Sequence, residues 1–155
     1  MENGAHPMIN CKSTADLLRE LLPKLNVRFE TERDENRLNF SFSYQGANFL
    51  VHTWDGWQFI EVNYLPFFDA PTMKSDLVHD CCNTLNRQIP FCKYMCFDDD
   101  ESHVVRVFVN VFAVLVNQIP DITSYLGMLL ENCFRGAKEF EQEYNRLEAA
   151  VISEN

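Results

Sequence analysis

The sequence predicts a single α+β domain, a two-layer sandwich in which one antiparallel sheet carries its helices on one face. Leu38, Phe40, Phe42 and Tyr44 alternate with Asn39, Ser41 and Ser43, the period-two pattern of a strand with one dry and one wet face. Leu17, Leu18, Leu21, Leu22 and Leu25 recur at helical spacing instead. A parallel sheet wrapped front and back by helices would be apolar on both faces, so the polar alternation confines the helices to one side. At 155 residues the chain is long enough for one hydrophobic core.

The elements follow in order. Residues 1–12 read as a flexible leader, residues 13–151 as the domain and residues 152–155 as a tail. Ser13-Thr14-Ala15-Asp16 supplies a capping hydroxyl and a first-turn carboxylate, opening a helix over 13–25 that Pro23 helps to stop. Val27, Phe29 and Thr31 then alternate with charged residues, and Arg33-Asp34-Glu35-Asn36 reads as a polar turn. After the strand through Phe40, Gln45-Gly46-Ala47-Asn48 turns the chain into Phe49–Trp54. Asp55-Gly56 then turns it into a fourth strand, Gln58–Tyr64. Four strands joined by short turns form an antiparallel meander.

Pro66 and Pro71 are expected to end that pattern. A second helix fits residues 73–88, with Leu77, Val78, Cys81, Cys82 and Leu85 on one side, and Pro90 beyond its end. A hairpin follows: Phe91–Phe97, the acidic turn Asp98-Asp99-Asp100-Glu101, and a strand from His103 to Leu115. Its odd-numbered valines share one face, while Phe108 and Phe112 mix with Arg106 and Asn110 on the other. A third helix is expected over 122–150, with Leu126, Leu129, Leu130, Cys133, Phe134 and Ala137 as its first stripe and Phe140, Tyr144, Leu147 and Val151 as its continuation.

Composition narrows the function classes. The formal net charge is −10 and the Lys and Arg residues are scattered singly, so a nucleic-acid backbone would be repelled rather than held. No apolar run approaches the roughly 18–20 residues needed to cross a bilayer, and Met1–Pro7 shows no basic segment leading into an apolar one. The expectation is a cytoplasmic protein without nucleic-acid or membrane partners, its six cysteines reduced.

The derived order, α-β-β-β-β-α-β-β-α, is similar to that of the YbjN family, whose fold is that of the type III secretion chaperones. The local match runs from Leu85-Asn86-Arg87 through Pro90 to Lys93-Tyr94. The acidic turn, the Val-rich strand, Asp121 and the third helix continue it. The resemblance implies an acidic, often dimeric protein without enzymatic residues. YbjN proteins are described as regulators of sensory transduction, and the related chaperones hold a client segment in extended form around their surface. The high cysteine content and the long third helix depart from the family's pattern.

Cys92 and Cys96 lie four residues apart on one face of a strand, about 13 Å at ~3.3 Å per residue. That is too far for a disulfide or a shared zinc ion. Asp98-Asp99-Asp100-Glu101 does not start an EF-hand loop, because its sixth and twelfth positions would hold His103 and Val109 instead of Gly and Glu. The acidic stretch therefore reads as a solvated turn, and no metal or cofactor is expected. His79 and Cys82 are three apart on the second helix, the minimum for an activated thiol, although Cys81 and Cys82 fall in its apolar stripe.

The leading expectation is a non-enzymatic protein-binding module, an adaptor or chaperone-like regulator, acting as a homodimer. Its partner surface would be the less covered sheet face, with Trp54, Phe59, Phe108 and Phe112. A second surface would be the overhanging end of the third helix, with Phe140, Tyr144 and Leu147, unless these pack on the first helix. One alternative is a small-molecule sensor using the aromatic cluster of His52, Trp54, Asp55 and Trp57. The other is a thiol enzyme using Cys82 and His79.

Overall fold

Ser13 opens the first helix as its side chain promises: its Oγ accepts the Asp16 amide at 3.1 Å, and α1 (Thr14–Lys24) buries Leu17, Leu18, Leu21 and Leu22. The structure is a computed structural model and describes residues 12–153. The leader expected at 1–12 lies outside the described residues except for Lys12, which pairs with Glu20. Asn26, at φ 58°, turns the chain out of α1.

The meander follows as β1 (Phe29–Asp34), β2 (Arg37–Tyr44), β3 (Ala47–Trp54) and β4 (Phe59–Pro71). Gln45 and Gly46 both take positive φ, 49° and 82°, so the β2–β3 loop needs only these two residues and Ala47 already pairs with Tyr44. After a short 3₁₀ turn come α2 (Ser75–Gln88), β5 (Lys93–Asp99), β6 (Val104–Val114) and α3 (Ile122–Ser153). The six strands form one antiparallel sheet in the order β1-β2-β3-β4-β6-β5. The predicted element order and α+β class are those of the structure.

One face of the sheet supplies Phe40, Val51, Val62, Val107 and Val109 to the core, where they meet the apolar stripes of the three helices. The alternate residues Phe59, Met95, Phe97 and Phe112 are exposed on the opposite face. Among the described residues, no helix is long and apolar enough to cross a membrane.

β4 differs most from expectation. It runs on to Pro71, through the proline at position 66 that was expected to end it. Beyond Tyr64, β4 leaves β3 and keeps only β6 as a neighbour, and the register with β6 shifts between Tyr64 and Phe68. Pro66 falls within that irregularity, where a missing N–H interrupts no regular ladder. The extension carries Phe67 and Phe68 under the distal half of α3. α3 itself is 32 residues, about 48 Å at 1.5 Å per residue, and includes Ile152 and Ser153 from the expected tail.

Two further contacts tie the edge strand β5 to the helices. The Asn86 side chain donates to the Tyr94 carbonyl at 2.9 Å and accepts the Tyr94 amide at 2.8 Å. Tyr94 Oη donates to the Gly136 carbonyl of α3 at 2.8 Å. Asn86 and Tyr94, prominent in the sequence, thus fasten β5 and cap its outer backbone groups, as an edge strand requires.

Candidate functional site

Among the described residues no helix covers the second face of the sheet, which is built from the outward residues of five strands. A polar belt crosses its middle, following the registered line Asn39–His52–Glu61 and the pair Asn63–Asn110. His52 Nδ1 lies 2.6 Å from Asn39 Oδ1. Asn110 Nδ2 donates to Glu61 at 2.7 Å and to Asn63 at 3.0 Å, and Asn63 donates to the Leu50 carbonyl. Each buried amide has a partner, so the belt is a satisfied and rigid platform. Partial burial lowers the His52 pKa from its ordinary value, with Arg37 adding to the effect and Glu61 opposing it. Because Asn39 Oδ1 can only accept, Nδ1 is the donor of this contact.

Aromatic rings gather on either side of this belt, toward the two ends of its strands. At one end Trp54 lies 6.0 Å from Trp57, Trp57 lies 6.4 Å from Phe59, and Phe59 stacks on Phe112 at 5.3 Å. Trp57 and Phe112 are each 56% exposed. At the other end Phe97 stacks on Phe108 at 5.3 Å, beside exposed Met95. Between them runs a shallow depression of about 440 Å³, lined by His52, Asn63, Met95 and Phe108 among others. Trp54 and Trp57 stand outside it. All four sheet residues expected at the partner surface, Trp54, Phe59, Phe108 and Phe112, share this face.

The distal end of α3 requires a correction. Phe140 is 0% and Tyr144 5% exposed, so neither is available to a partner of this chain. Phe140 packs against Phe68 at 5.0 Å and Phe67 at 5.5 Å, and Tyr144 against Phe68 at 4.8 Å. Leu147 is half-buried against the same core. The β4 extension and α2 cover these residues, not α1, because the sheet reaches farther under α3 than the expected strand lengths allowed. The exposed apolar residues at this end are Met73, Val151 and Ile152, of which the helical stripe included only Val151. They line a groove with Leu77 beside the Lys74–Glu148 ion pair.

The thiol arrangement is also corrected. Cys82 is 4% exposed, and its free thiol donates a hydrogen bond to the Cys96 sulfur, whereas His79 sets its Nδ1 3.3 Å from Cys96 Sγ. His79 Nε2 faces Asp98 at 3.6 Å, and Asp98 accepts the Ser75 hydroxyl at 2.6 Å. Asp98 thus reaches α2 and is not part of a purely solvated turn. Asp99 folds over the turn, accepting the Ser102 hydroxyl at 2.5 Å. Among the described residues, no group of three or more His, Cys, Asp or Glu is arranged to hold a metal ion. Cys96 pairs with His79 only because α2 packs across β5, a long-range approach that residue spacing does not carry.

The geometry defines a two-layer α+β sandwich with one bare sheet face and a thiol cluster at one edge. No protein-family model matches the chain, and no curated protein matches it. An uncharacterized protein from Methanothermobacter thermautotrophicus, known from a crystal structure, shares the fold with a TM-score of 0.59 at 12% identity. The match covers 84% of this chain and 96% of that one.

Proposed function

We propose that this chain is a non-enzymatic polypeptide-binding module, an adaptor or chaperone-like regulator. Its bare sheet face takes a partner segment that carries apolar side chains beside Lys or Arg. The observation that carries this reading is the exposed aromatic string Trp54–Trp57–Phe59–Phe112 on a hydrogen-bonded platform. Contiguous exposed rings of this kind mark association surfaces. Charge selects the partner: Glu30, Glu32 and Asp34 of β1 flank the face in register with β2, Asp55 sits at the aromatic end, and the whole chain carries −10. The face is favoured over the edges, because β1 is lined with charge and Asn86 caps β5. The resemblance to the YbjN family and the secretion chaperones points the same way.

The test is a peptide-display selection against the purified chain, followed by calorimetry on the winners. Selected peptides are expected to combine aromatic or aliphatic anchors with basic residues. Phe59→Ser/Phe112→Ser should weaken them by about 30-fold or more, the scale of losing a central anchor, with unchanged circular dichroism. Binding that survives the double substitution, or a selection that yields no binder, would sink the reading. Capture from the source cell then names the partner, provided the same variant fails to capture it.

The reading includes a homodimer joined through the Met73–Val151–Ile152 groove, which leaves the sheet face free. Light scattering should give twice the monomer mass, and Ile152→Glu should halve it. A monomeric parent at high concentration removes the dimer and leaves the sheet-face reading intact.

A further inference from the structure

We propose that Cys96 and Cys82 form a thiol redox pair, with Cys96 as the attacking sulfur and Cys82 as the resolving one. A hydroperoxide oxidises them to a disulfide that clamps β5 to α2. The proposal is independent of the polypeptide-binding reading.

Placement singles out this pair. Cys81 points its thiol at the Phe140 carbonyl, 3.8 Å away inside the core. Cys92 and Cys133 are also buried, and of the five described cysteines Cys96 alone is partly exposed. Cys96 lies on the edge strand, where His79 and Asp98 are both partly open to solvent. Sulfur, imidazole and carboxylate follow one another at 3.3 and 3.6 Å, with Ser75 fixing the carboxylate. A base beside a thiol, itself oriented by a third group, is the arrangement that activates a sulfur nucleophile. Cys82 lies three residues beyond His79 on α2, so the same helix supplies both the base and the second thiol.

Electrostatics agree with the geometry. The Cys96 pKa is pulled down to about 7, first by the hydrogen bond from Cys82 and then by His79, against burial and the Asp98 charge. The Cys82 pKa is pushed up, first because its thiol donates that bond and then by burial. Burial pushes Cys81 and Cys133 up to about 12. At pH 7 Cys96 is therefore about half thiolate, while Cys81, Cys82, Cys92 and Cys133 stay protonated.

The chemistry balances in two steps. The Cys96 thiolate attacks the terminal peroxide oxygen: the S–O bond forms, the O–O bond breaks, and the alkoxide leaves as an alcohol after taking a proton. Cys96 is now a sulfenic acid, oxidised by two electrons that the peroxide has accepted. Cys82 then gives up its proton and attacks the Cys96 sulfur; the S–S bond forms, the S–O bond breaks and water leaves. A dithiol reductant reverses the state by exchange.

The experiment treats the whole chain with hydrogen peroxide, blocks remaining thiols by alkylation and maps tryptic peptides. Cleavage after Arg87 and Lys93 separates the two cysteines, and Cys81→Ser removes the ambiguity within the first peptide. The expected product is a Cys82–Cys96 cross-link. Cys82→Ser should instead accumulate a Cys96 sulfenic acid that dimedone traps, and Cys96→Ser should form no cross-link. The pH profile of Cys96 alkylation supplies a readout that a structural cysteine would not move. Its midpoint should lie near 7, and His79→Phe should raise it and slow labelling at pH 7 by about tenfold as the thiolate fraction falls. A midpoint in the ordinary thiol range, a stable Cys96 sulfenic acid in the parent chain, or oxidation falling first on another cysteine overturns the pair.

Discussion

Phe140→Ala is expected to lower the free energy of unfolding by about 3–5 kcal/mol, the range for removing a buried aromatic ring. The ring is fully enclosed, with Phe67, Phe68, Tyr94 and Tyr144 all within 6.1 Å of its centroid. Two walls of the resulting cavity would be strands held by ladder hydrogen bonds, which cannot collapse inward as a loop would. The site therefore falls toward the upper part of the range. Urea unfolding followed by circular dichroism should show the midpoint fall with an unchanged slope. A cost below about 1 kcal/mol would mean that α3 does not dock on the β4 extension, because an overhanging ring is nearly free to remove. Phe140→Leu should fall between parent and Ala.

Gly136→Val is expected to destabilise the fold by about 1–3 kcal/mol through overpacking. A Cβ at this position would meet Cys92 Sγ at 2.8 Å and Val109 Cγ1 at 3.2 Å, inside ordinary contact distance. The same residue's carbonyl accepts the Tyr94 hydroxyl, so displacing α3 to relieve the clash also stretches the bond that ties β5 to α3. Gly136→Ala is a finer probe. Alanine favours the helix by roughly 1 kcal/mol over glycine, and the Cys92 sulfur opposes it. Cys92→Ala should therefore be less damaging in the Gly136→Ala background than in the parent, a favourable coupling that a double-mutant cycle measures. Additive single effects would show that the helix and strand do not approach this closely.

Most of the architecture was legible because its signals are local. The alternation of Leu38, Phe40 and Phe42 depends on β-strand geometry alone, and the Leu17–Leu22 stripe on helical geometry alone. The sheet-face residues Trp54, Phe59, Phe108 and Phe112 were legible for the same reason, since parity along a strand assigns the face. Legibility ended where the outcome depends on a neighbour. Pro66 reads as a strand end until β6 is known to carry β4 past it. That error produced the next one, because Phe140 and Tyr144 overhang only if β4 stops at Tyr64. The partnership of Cys96 with His79 was hidden for a related reason: His79 and Cys82 are adjacent on a helix surface, whereas Cys96 arrives from a strand whose offset against α2 no spacing rule specifies.

The sheet order carries a kinetic consequence. Four of the five strand pairings join sequence neighbours through a short turn, but β4 and β6 join across everything between Pro71 and Val104, including α2 and β5. The two hairpin-built halves can nucleate locally, and zipping one to the other requires closing the longest loop in the sheet. That seam is where topology slows assembly.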